Sequence, residues 1–164
     1  MQILTLENEA LRQKASPVKK IGPEYEKIAQ ELIDTLHAGD GVGLAGPQVG
    51  INERIFAIHV HGDIPRIFIN PSIIGTSQET LKFEEGCLSI PGVYTNVVRS
   101  KDVKVQAWNE KGRPFTVEAS GILARVILHE YDHLEGILFI DRIPEHKRER
   151  ILAKIEKARS KGRK

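Results

Sequence analysis

The sequence predicts an α+β fold in which mainly antiparallel β-sheets surround a central helix, with a further helix near each end of the chain. Three observations predict it. Apolar residues recur at helical spacing near the N-terminus, short β-like stretches fill positions 54–119, and a second helical stretch carries the sequence HEYDH at 129–133.

The first helix is predicted near 24–38. Pro23 suits a first helical turn, and Gly39 offers a stop signal at the other end. Between them apolar residues repeat every three or four positions, at Ile28, Leu32, Ile33 and Leu36. The next stretch, GDGVGLAGPQVG at 39–50, is so rich in glycine that we expect a loop.

The middle of the chain has the pattern of short strands separated by turns. RIFAIHV at 54–60 and RIFIN at 66–70 flank the turn GDIP, and further β-like stretches continue from 72 to 119. We expect a set of antiparallel strands.

The central helix is predicted to begin after Ser120, a residue type favoured as an N-cap, and to end at Gly136. Apolar residues at 122, 123, 126, 127 and 134 fit a helical period, so HEYDH is expected on a helix. A last helix is predicted from about 144, with Ile151, Leu152 and Ile155 on one side and basic residues elsewhere.

The length of 164 residues predicts one compact domain, 1–164, that ends in a basic helix or tail at about 144–164. Its 40% hydrophobic and 28% charged residues exclude disordered and fibrous classes. The N-terminal stretch resembles neither a signal nor a transit peptide, and no run of about 18 apolar residues is present. We therefore expect a cytoplasmic protein without a membrane segment.

The HEYDH stretch has the spacing of a metal site. On a helix His129 and His133 lie about 40° apart and one turn along the axis, so both imidazoles can bind one cation. Glu130 lies about 100° from His129, which suits a general base that later acts as a general acid better than a third ligand. The same pattern also occurs in helices that bind no metal, so the third ligand decides the class of protein.

The third ligand of two zinc protease classes is missing or poorly placed. Phe139 stands six residues after the second histidine, where metzincins have a histidine, and it cannot bind a metal. A downstream glutamate of the thermolysin type would be Glu149 or Glu156, and both lie in the basic tail.

Cys87 is the better candidate. It is the only cysteine, so it forms no internal disulfide, and it lies at a glycine-flanked break between β-like stretches. Two histidines and one cysteine leave an open position for water, which is the pattern of catalytic metal sites. A cation there stabilises the thiolate and lowers the pKa of a bound water molecule, which indicates a hydrolase.

Three stretches of the chain resemble the peptide deformylase family in its bacterial form. They are GVGLAGPQVG at 41–50, EGCLSI at 85–90 and HEYDHLEG at 129–136, in this order and with similar spacing. The resemblance implies an enzyme that removes the formyl group from the N-formylmethionine of newly synthesised polypeptides and releases formate.

The resemblance also implies which residues bind the metal. Its ligands would be Cys87, His129 and His133, and Glu130 would transfer the proton. Ferrous iron is the implied native metal, with zinc, nickel or cobalt after purification, although one cysteine and two histidines should bind zinc more tightly than ferrous iron.

Substrate contacts follow from the same resemblance. The oxyanion of the reaction would receive hydrogen bonds from the side-chain amide of Gln48 and the backbone N–H of Leu88. Val126, three residues before His129, would help to form the methionine pocket, although a purely structural place in the core fits it equally well. The extended peptide would pair with the backbone of a further set of residues, Val42, Gly43, Leu44 and Gly86.

Some further positions match the family and others depart from it. Glu85 and Arg99 match it, and we expect Arg99 to anchor the cysteine loop through a carboxylate such as Glu85; the alternative is a solvated surface arginine. Gly46 replaces the usual alanine and predicts a looser oxyanion site. Tyr94 stands where some members have an arginine, and Arg125, expected at the pocket rim, stands where an apolar residue is frequent.

The charge distribution predicts one further partner. Residues 145–164 contain nine Lys or Arg and three Glu, a net charge of +6, whereas residues 1–144 carry −4. Such a run is most often a solvated helix face, but the resemblance favours contact with the ribosome, where nascent chains emerge.

Gly41 and Gly43 lack the strand-to-helix context of a phosphate loop, so no nucleotide cofactor is expected.

Three functions thus remain open: a metal-dependent deformylase, a zinc metallopeptidase that uses HExxH, and a noncatalytic metal-binding or RNA-binding module. Phe139 disfavours the metzincin form of the second. A noncatalytic module would not need Glu130 or Gln48.

Overall fold

The computed structural model describes residues 1–162, and its α+β architecture confirms the predicted fold class. The helices are α1 (Glu24–Ala38), α2 (Ile122–Leu134) and α3 (Glu145–Gly162). The strands are β1 (Gly43–Ala45), β2 (Ile55–Ile58), β3 (Arg66–Thr76), β4 (Thr80–Cys87), β5 (Ile90–Ser100), β6 (Asp102–Trp108) and β7 (Pro114–Ser120). Short 3-10 helices lie at Glu9–Arg12, Gly46–Val49 and Phe139–Arg142.

The strands are divided between one sheet and one hairpin. Five of them pair in the order β1-β2-β3-β6-β7, with every pairing antiparallel, so β1 lies at an edge. The other two, β4 and β5, form a separate antiparallel hairpin. Cys87 pairs with Ile90, which leaves Leu88 and Ser89 as the turn between these strands.

Helices cover both faces of the five-stranded sheet, and all four residues of β2 are therefore buried. Ile55 and Ala57 belong to the hydrophobic cluster that contains α1 residues, whereas Phe56 and Ile58 belong to the cluster that contains α2 residues. This alternation follows from the geometry of a strand, whose successive side chains point to opposite faces. The sheet therefore supports α2, the helix that carries HEYDH, from one side.

A third hydrophobic cluster joins the hairpin to the C-terminal part of the chain. Val97 of β5 packs with Phe139 and Ile140 of the last 3-10 helix. Three partly buried residues of α3 pack against this cluster: Ile151, Leu152 and Ile155. The α3 helix thus has the apolar side that its sequence predicts.

The predicted helices agree with the observed ones to within a residue or two. The range 24–38 is that of α1, and α3 begins at Glu145, next to the predicted start near 144. The last two residues of the predicted tail, Arg163 and Lys164, lie outside the described residues. Within 1–162, no helix combines the length and the apolar character needed to cross a membrane.

The predicted loop at 39–50 is wrong in part. Gly43–Ala45 is β1, which pairs with β2 from Gly43 opposite Ile58 to Ala45 opposite Phe56, and a 3-10 helix follows it. Leu44 anchors this short strand, because its side chain is fully buried. A distant partner strand decides the conformation here, against the local glycine content.

The start of α2 also differs from its prediction. Ser120 is the last residue of β7, and Gly121 is the N-cap, with a φ of 65°. Glycine adopts this left-handed conformation without steric cost, so the chain turns from strand to helix within one residue.

The strand predicted at 66–70 is longer than expected. It continues as β3 to Thr76, and its pairing with β6 contains register shifts.

Tyr25 offers a test of how α1 is tied to the sheet. It is buried, and its hydroxyl donates a 2.8 Å hydrogen bond to Glu53. Burial and this carboxylate raise the pKa of Tyr25 from 10.0 to about 12. The folded state therefore keeps its proton when the unfolded chain has lost it, so this contribution to stability is complete below about pH 10 and is lost as the pH rises towards 12.

We therefore expect Tyr25→Phe to lower the free energy of unfolding by about 1–2 kcal/mol at pH 7. The difference from the parent protein should shrink above about pH 10. Guanidinium unfolding of both proteins at neutral pH and above pH 10 measures this difference. A difference that stays constant with pH would show that the Tyr25 hydroxyl does not contribute in this way.

Candidate metal centre and active site

Three metal-ligating side chains meet where the β4–β5 hairpin approaches α2. One ligand atom from each of Cys87, His129 and His133 lies within 4.8 Å of the others. Cys87 Sγ is 3.4 Å from His133 Nε2. Both histidines are buried, and their rings lie 5.1 Å apart between centroids, as expected for residues one helical turn apart. The structure thus brings together all three ligands that the sequence predicts.

A buried ionic network supports these ligands from behind. Glu85 Oε1 lies 2.9 Å from His129 Nδ1, and its Oε2 accepts a 2.6 Å hydrogen bond from Arg99 Nε. Arg99 also donates to Asp132 of α2, at 2.9 Å, and Arg125 donates to Glu85. The expected anchor between Arg99 and Glu85 is confirmed, and the solvated alternative is wrong because Arg99 is only 7% exposed.

The network keeps Glu85 ionised, and the pKa values of the two histidines shift in opposite directions. Burial raises the pKa of Glu85, but hydrogen bonds from His129 and Arg99 lower it to about 2 overall. Burial lowers the pKa of His129, but contacts with Cys87, Glu85 and Glu130 raise it to about 10 overall. Burial, followed by the charge of His129, holds the pKa of His133 well below its usual value. The negative groups around His129 therefore favour positive charge at this position, whereas burial favours a neutral His133.

This donor set fits one divalent metal ion. Glu85 engages Nδ1 of His129 and so leaves Nε2 as its free donor, which is the usual arrangement behind a metal-binding histidine. Thiolate and imidazole are donors that zinc, iron and similar ions accept. His133 directs Nε2 towards Cys87 Sγ, and its other ring nitrogen, Nδ1, is buried without a hydrogen-bond partner among residues 1–162.

Glu130 adjoins the three candidate ligands without being one of them. Its Oε2 lies 3.9 Å from His129 Nε2, and its Oε1 is buried without a partner in the described part of the chain. Burial raises the pKa of Glu130 to about 7. The carboxylate packs directly on Gly43, where a Cβ atom would lie only 2.5 Å from Oε2. A carboxyl group with this pKa can both accept and return a proton near neutrality.

Gln48 lies on the other side of the cysteine and is almost fully buried. Its Oε1 accepts a 2.9 Å hydrogen bond from the backbone N–H of Ala45. Its Nε2 donates to Ser89 Oγ at 3.0 Å and lies 3.5 Å from Cys87 Sγ. Leu88 lies between the cysteine and this serine, and its side chain packs against Gly39 and Gly41. An amide donor thus adjoins the metal ligands.

A cleft of about 540 Å³ opens onto Cys87, Leu88, His129 and Glu130, whereas Gln48, Ser89 and His133 lie behind its lining. Four of the five predicted substrate-binding residues line it: Val42, Gly43, Gly86 and Val126. Leu44 does not line the cleft, because its side chain points into the core with α1, so only its backbone is available. Residues that the sequence did not single out also line it, including the half-exposed apolar side chains of Phe83 and Ile122.

Two expectations about departures from the family pattern are wrong. A Cβ atom on Gly46 would lie 2.7 Å from the carbonyl oxygen of Ile51, so glycine here permits tight packing beside Gln48 and not a looser site. Arg125 is only 8% exposed, because it bonds to Glu85 and to a carbonyl oxygen of β5, and it lies in the cleft wall instead of at the rim. Tyr94 is exposed and lines the cleft beside Gly86.

Sequence reasoning missed two polar partners of the site. Asp132 lies within HEYDH but faces away from the cluster and binds Arg99 and Arg142. Ser89 is fully buried and binds Gln48. The only signal in the sequence was position: Asp132 adjoins His133, and Ser89 lies two residues after Cys87.

The fold and the site together define a class. A helix with two histidines and an adjacent buried carboxylate, completed by a cysteine from a hairpin, is a donor arrangement typical of metal-dependent hydrolases. Residues 1–149 match the family profile described as polypeptide deformylase. The chain belongs to this family.

Its relatives agree over most of their length. The peptide deformylase of Neisseria meningitidis is 42% identical over 159 residues, which are 96% of this chain and 95% of that protein. That of Desulfitobacterium hafniense is 48% identical over 141 residues, 86% of this chain and 93% of the relative. The prediction of a peptide deformylase, a metal-dependent enzyme that removes the N-formyl group from nascent peptides, is confirmed, and the metallopeptidase alternative is not favoured.

Solved structures of the family share the fold. A peptide deformylase from Legionella pneumophila superposes with a TM-score of 0.90 at 37% identity and covers 99% of this chain and 98% of its own. One from Synechococcus elongatus, in complex with actinonin, gives a TM-score of 0.86 at 40% identity, over 90% of this chain and 82% of that one.

The contact between Gly43 and Glu130 leads to a prediction. Gly43→Ala would place its methyl group against the buried Glu130 carboxylate and displace it. We expect kcat/KM to fall by about 100-fold, since a displacement of about 1 Å costs this much, while the metal content stays unchanged. Gly75→Ala is the matched control, because a Cβ there meets only Lys104 Cβ at 3.9 Å. Equal activities of the two variants would contradict the role of this contact.

Proposed function

We propose that Cys87, His129 and His133 hold one divalent cation and that Glu130 transfers protons during removal of the formyl group. The observation that carries this proposal is the cluster of three ligand atoms within 4.8 Å of one another. A buried carboxylate with a pKa near 7 adjoins this cluster. We also propose that 1–164 is one catalytic domain, which the packing of α3 on the hairpin cluster supports.

When bound, the cation acts as a Lewis acid that makes water a nucleophile near neutral pH. Glu130 accepts the proton of this water as the water attacks the formyl carbon. Glu130 then returns the proton to the amine nitrogen as the C–N bond breaks. The products are formate and a free N-terminal amine. The raised pKa of Glu130 supports both steps, because its two protonation states are close in free energy at neutral pH.

The formyl oxygen gains negative charge during the attack, and we assign its stabilisation to two donors. One is the side-chain amide of Gln48, whose Nε2 lies 3.5 Å from the cysteine sulfur. The other is the backbone N–H of Leu88, which follows Cys87 in the turn between β4 and β5. Neither donor titrates, so both can be fixed before the reaction begins.

The substrate would lie along the open edge of β1. Among the strands of residues 1–162, β1 pairs with β2 alone, so its second edge is available for an extended peptide, with backbone contacts from Val42, Gly43 and Leu44. Gly86 lines the opposite part of the cleft, where the ring of Tyr94 covers it. Val126 and Val42 line the same cleft and would contact the methionine side chain.

Which metal ion the site holds depends on the metals available in the cell as well as on the ligand atoms. We propose ferrous iron in the cell. Because ferrous iron and the thiolate are both prone to oxidation, we expect zinc, nickel or cobalt forms after purification in air.

We further propose that α3 contacts the ribosome. Five exposed basic residues recur along one side of this helix at intervals of three or four: Lys147, Arg150, Lys154, Lys157 and Lys161. This stripe lies away from Ile151, Leu152 and Ile155, which pack against the body of the protein. A continuous basic stripe on the exposed side of a helix suits a phosphate backbone. Since formylated chains emerge at the ribosome, we expect a cytoplasmic location.

The function is tested by purification without oxygen, metal analysis and two substrates. The enzyme should contain about one metal ion per chain, ferrous iron by this proposal, and should release formate from a formyl-methionyl peptide. It should leave a longer peptide with an otherwise blocked N-terminus intact. Internal cleavage without formate would favour the metallopeptidase instead.

Two variants in the same assay separate the proposed roles. Glu130→Gln should retain the metal and lose turnover by about 100-fold or more, because it cannot carry the proton. Cys87→Ala should lose metal as well as activity. Full metal content and rate in Cys87→Ala would refute the ligand set.

The contact of α3 is tested by truncation after Ala158, which removes the most C-terminal positive charges and leaves the apolar anchor in place. Formate release from a small peptide should stay unchanged, while sedimentation with ribosomes should weaken at about 0.1 M salt. Replacing Lys154, Lys157 and Lys161 with Gln is the matched variant of full length. If both variants bind ribosomes as the parent protein does, with the same salt dependence, the proposal is wrong.

A further inference from the structure

The side-chain amide of Gln48 contacts one atom in each of three residues: Ala45, Cys87 and Ser89. Oε1 faces the backbone N–H of Ala45 at 2.9 Å, and a backbone N–H can only donate, so the oxygen of the amide must lie on this side. The nitrogen therefore lies on the side of the hairpin turn. Its two neighbours there are Ser89 Oγ at 3.0 Å and Cys87 Sγ at 3.5 Å.

The two hydrogens of this nitrogen have different partners. The hydrogen bond to Ser89 Oγ is short and lies between two buried side chains, 1% exposed for Gln48 and fully buried for Ser89. The contact with Cys87 Sγ is longer, and sulfur is a weak acceptor. One N–H is therefore firmly bound, and the other is directed towards the metal ligands and is easily given to a better acceptor.

We propose that Ser89 is a positioning residue that holds the amide of Gln48 so that its second N–H points at the oxyanion. This inference rests on the proposed role of Gln48 as an oxyanion donor. A single bond to Ala45 would allow the amide to turn about the axis of that bond. The second bond, to Ser89, removes this freedom before substrate binds, and a donor that needs no reorganisation is the effective kind.

The backbone of both residues is fixed independently of the hydroxyl. The N–H of Leu4 donates to the carbonyl oxygen of Gln48 at 2.7 Å, and the N–H of Leu6 donates to that of Ser89 at 3.1 Å. The N-terminal segment thus spans the 3-10 helix and the hairpin turn and holds them together. Removing the hydroxyl of Ser89 should therefore release the amide without moving either main chain.

The test is a double-mutant cycle with Ser89→Ala, Gln48→Ala and both together. Ser89→Ala should lower kcat by about 10- to 100-fold, with KM, metal content and melting temperature close to those of the parent. Gln48→Ala should lower kcat by about 100-fold or more. In the Gln48→Ala background, the change at Ser89 should alter kcat by less than about twofold, since residues that act as a unit are not additive.

Ser77→Ala is the control, since it also removes a hydrogen-bonded hydroxyl, one that accepts from the backbone N–H of Asp102 and donates to the carbonyl oxygen of Glu79, but outside the cleft. It should leave kcat unchanged. A readout that needs no turnover is the pair of side-chain amide proton signals of Gln48 in an NMR spectrum, of which Ser89→Ala should shift one strongly.

The outcomes separate this inference from the proposed function. If Gln48→Ala retains the parent kcat, the oxyanion role fails and the inference with it. If Gln48→Ala is impaired but Ser89→Ala is not, only the inference fails. Equal losses from Ser89→Ala in the presence and absence of Gln48 would show that the serine acts by another route.

Discussion

The geometry of the metal centre depends on a carboxylate that binds no metal. Glu85 is 6% exposed, and an isolated carboxyl group so buried would be neutral. Arg99 and Arg125 donate to it, so it remains ionised and can accept the Nδ1 hydrogen of His129. That contact sets the tautomer of His129 and leaves Nε2 free as a ligand atom. A residue of the hairpin thus orients the His129 ring of the HEYDH helix for the metal-binding role proposed for it.

The same network joins the two elements that supply the ligands. Arg99 on β5 binds Glu85 on β4 and Asp132 on α2, so the hairpin with Cys87 and the helix with His129 are tied by one guanidinium group. Such a network is costly to break, because removal of one partner leaves a buried charge and costs about 3–5 kcal/mol. The network therefore serves mainly to fix the position of Cys87 relative to His129 and His133, and less to raise the net stability of the fold.

How much of this follows from the sequence depends on the range of the interactions. The spacing of His129 and His133 and the apolar period of α1 are local, and both were predictable from a helical pattern. Cys87 followed from the chemistry of a third ligand and from the resemblance. The strand at Gly43–Ala45 could not be predicted from the local sequence, because its pairing with β2 outweighs its glycine content. The burial of Arg125 and the tight packing at Gly46 depend on contacts with Glu85 and Ile51, respectively, which no local pattern reveals.

Two carboxylates of this site illustrate how environment assigns chemical roles. Glu85 is surrounded by donors, so its pKa falls to about 2 and it remains charged. Glu130 is equally buried, but within the described residues its Oε1 has no partner, and burial raises its pKa to about 7. An unpartnered buried oxygen costs about 1–3 kcal/mol and is rare in folded proteins. This cost is consistent with the proton transfer proposed for Glu130, because a carboxylate with as many donors as Glu85 would have too low a pKa to act as a base at neutral pH.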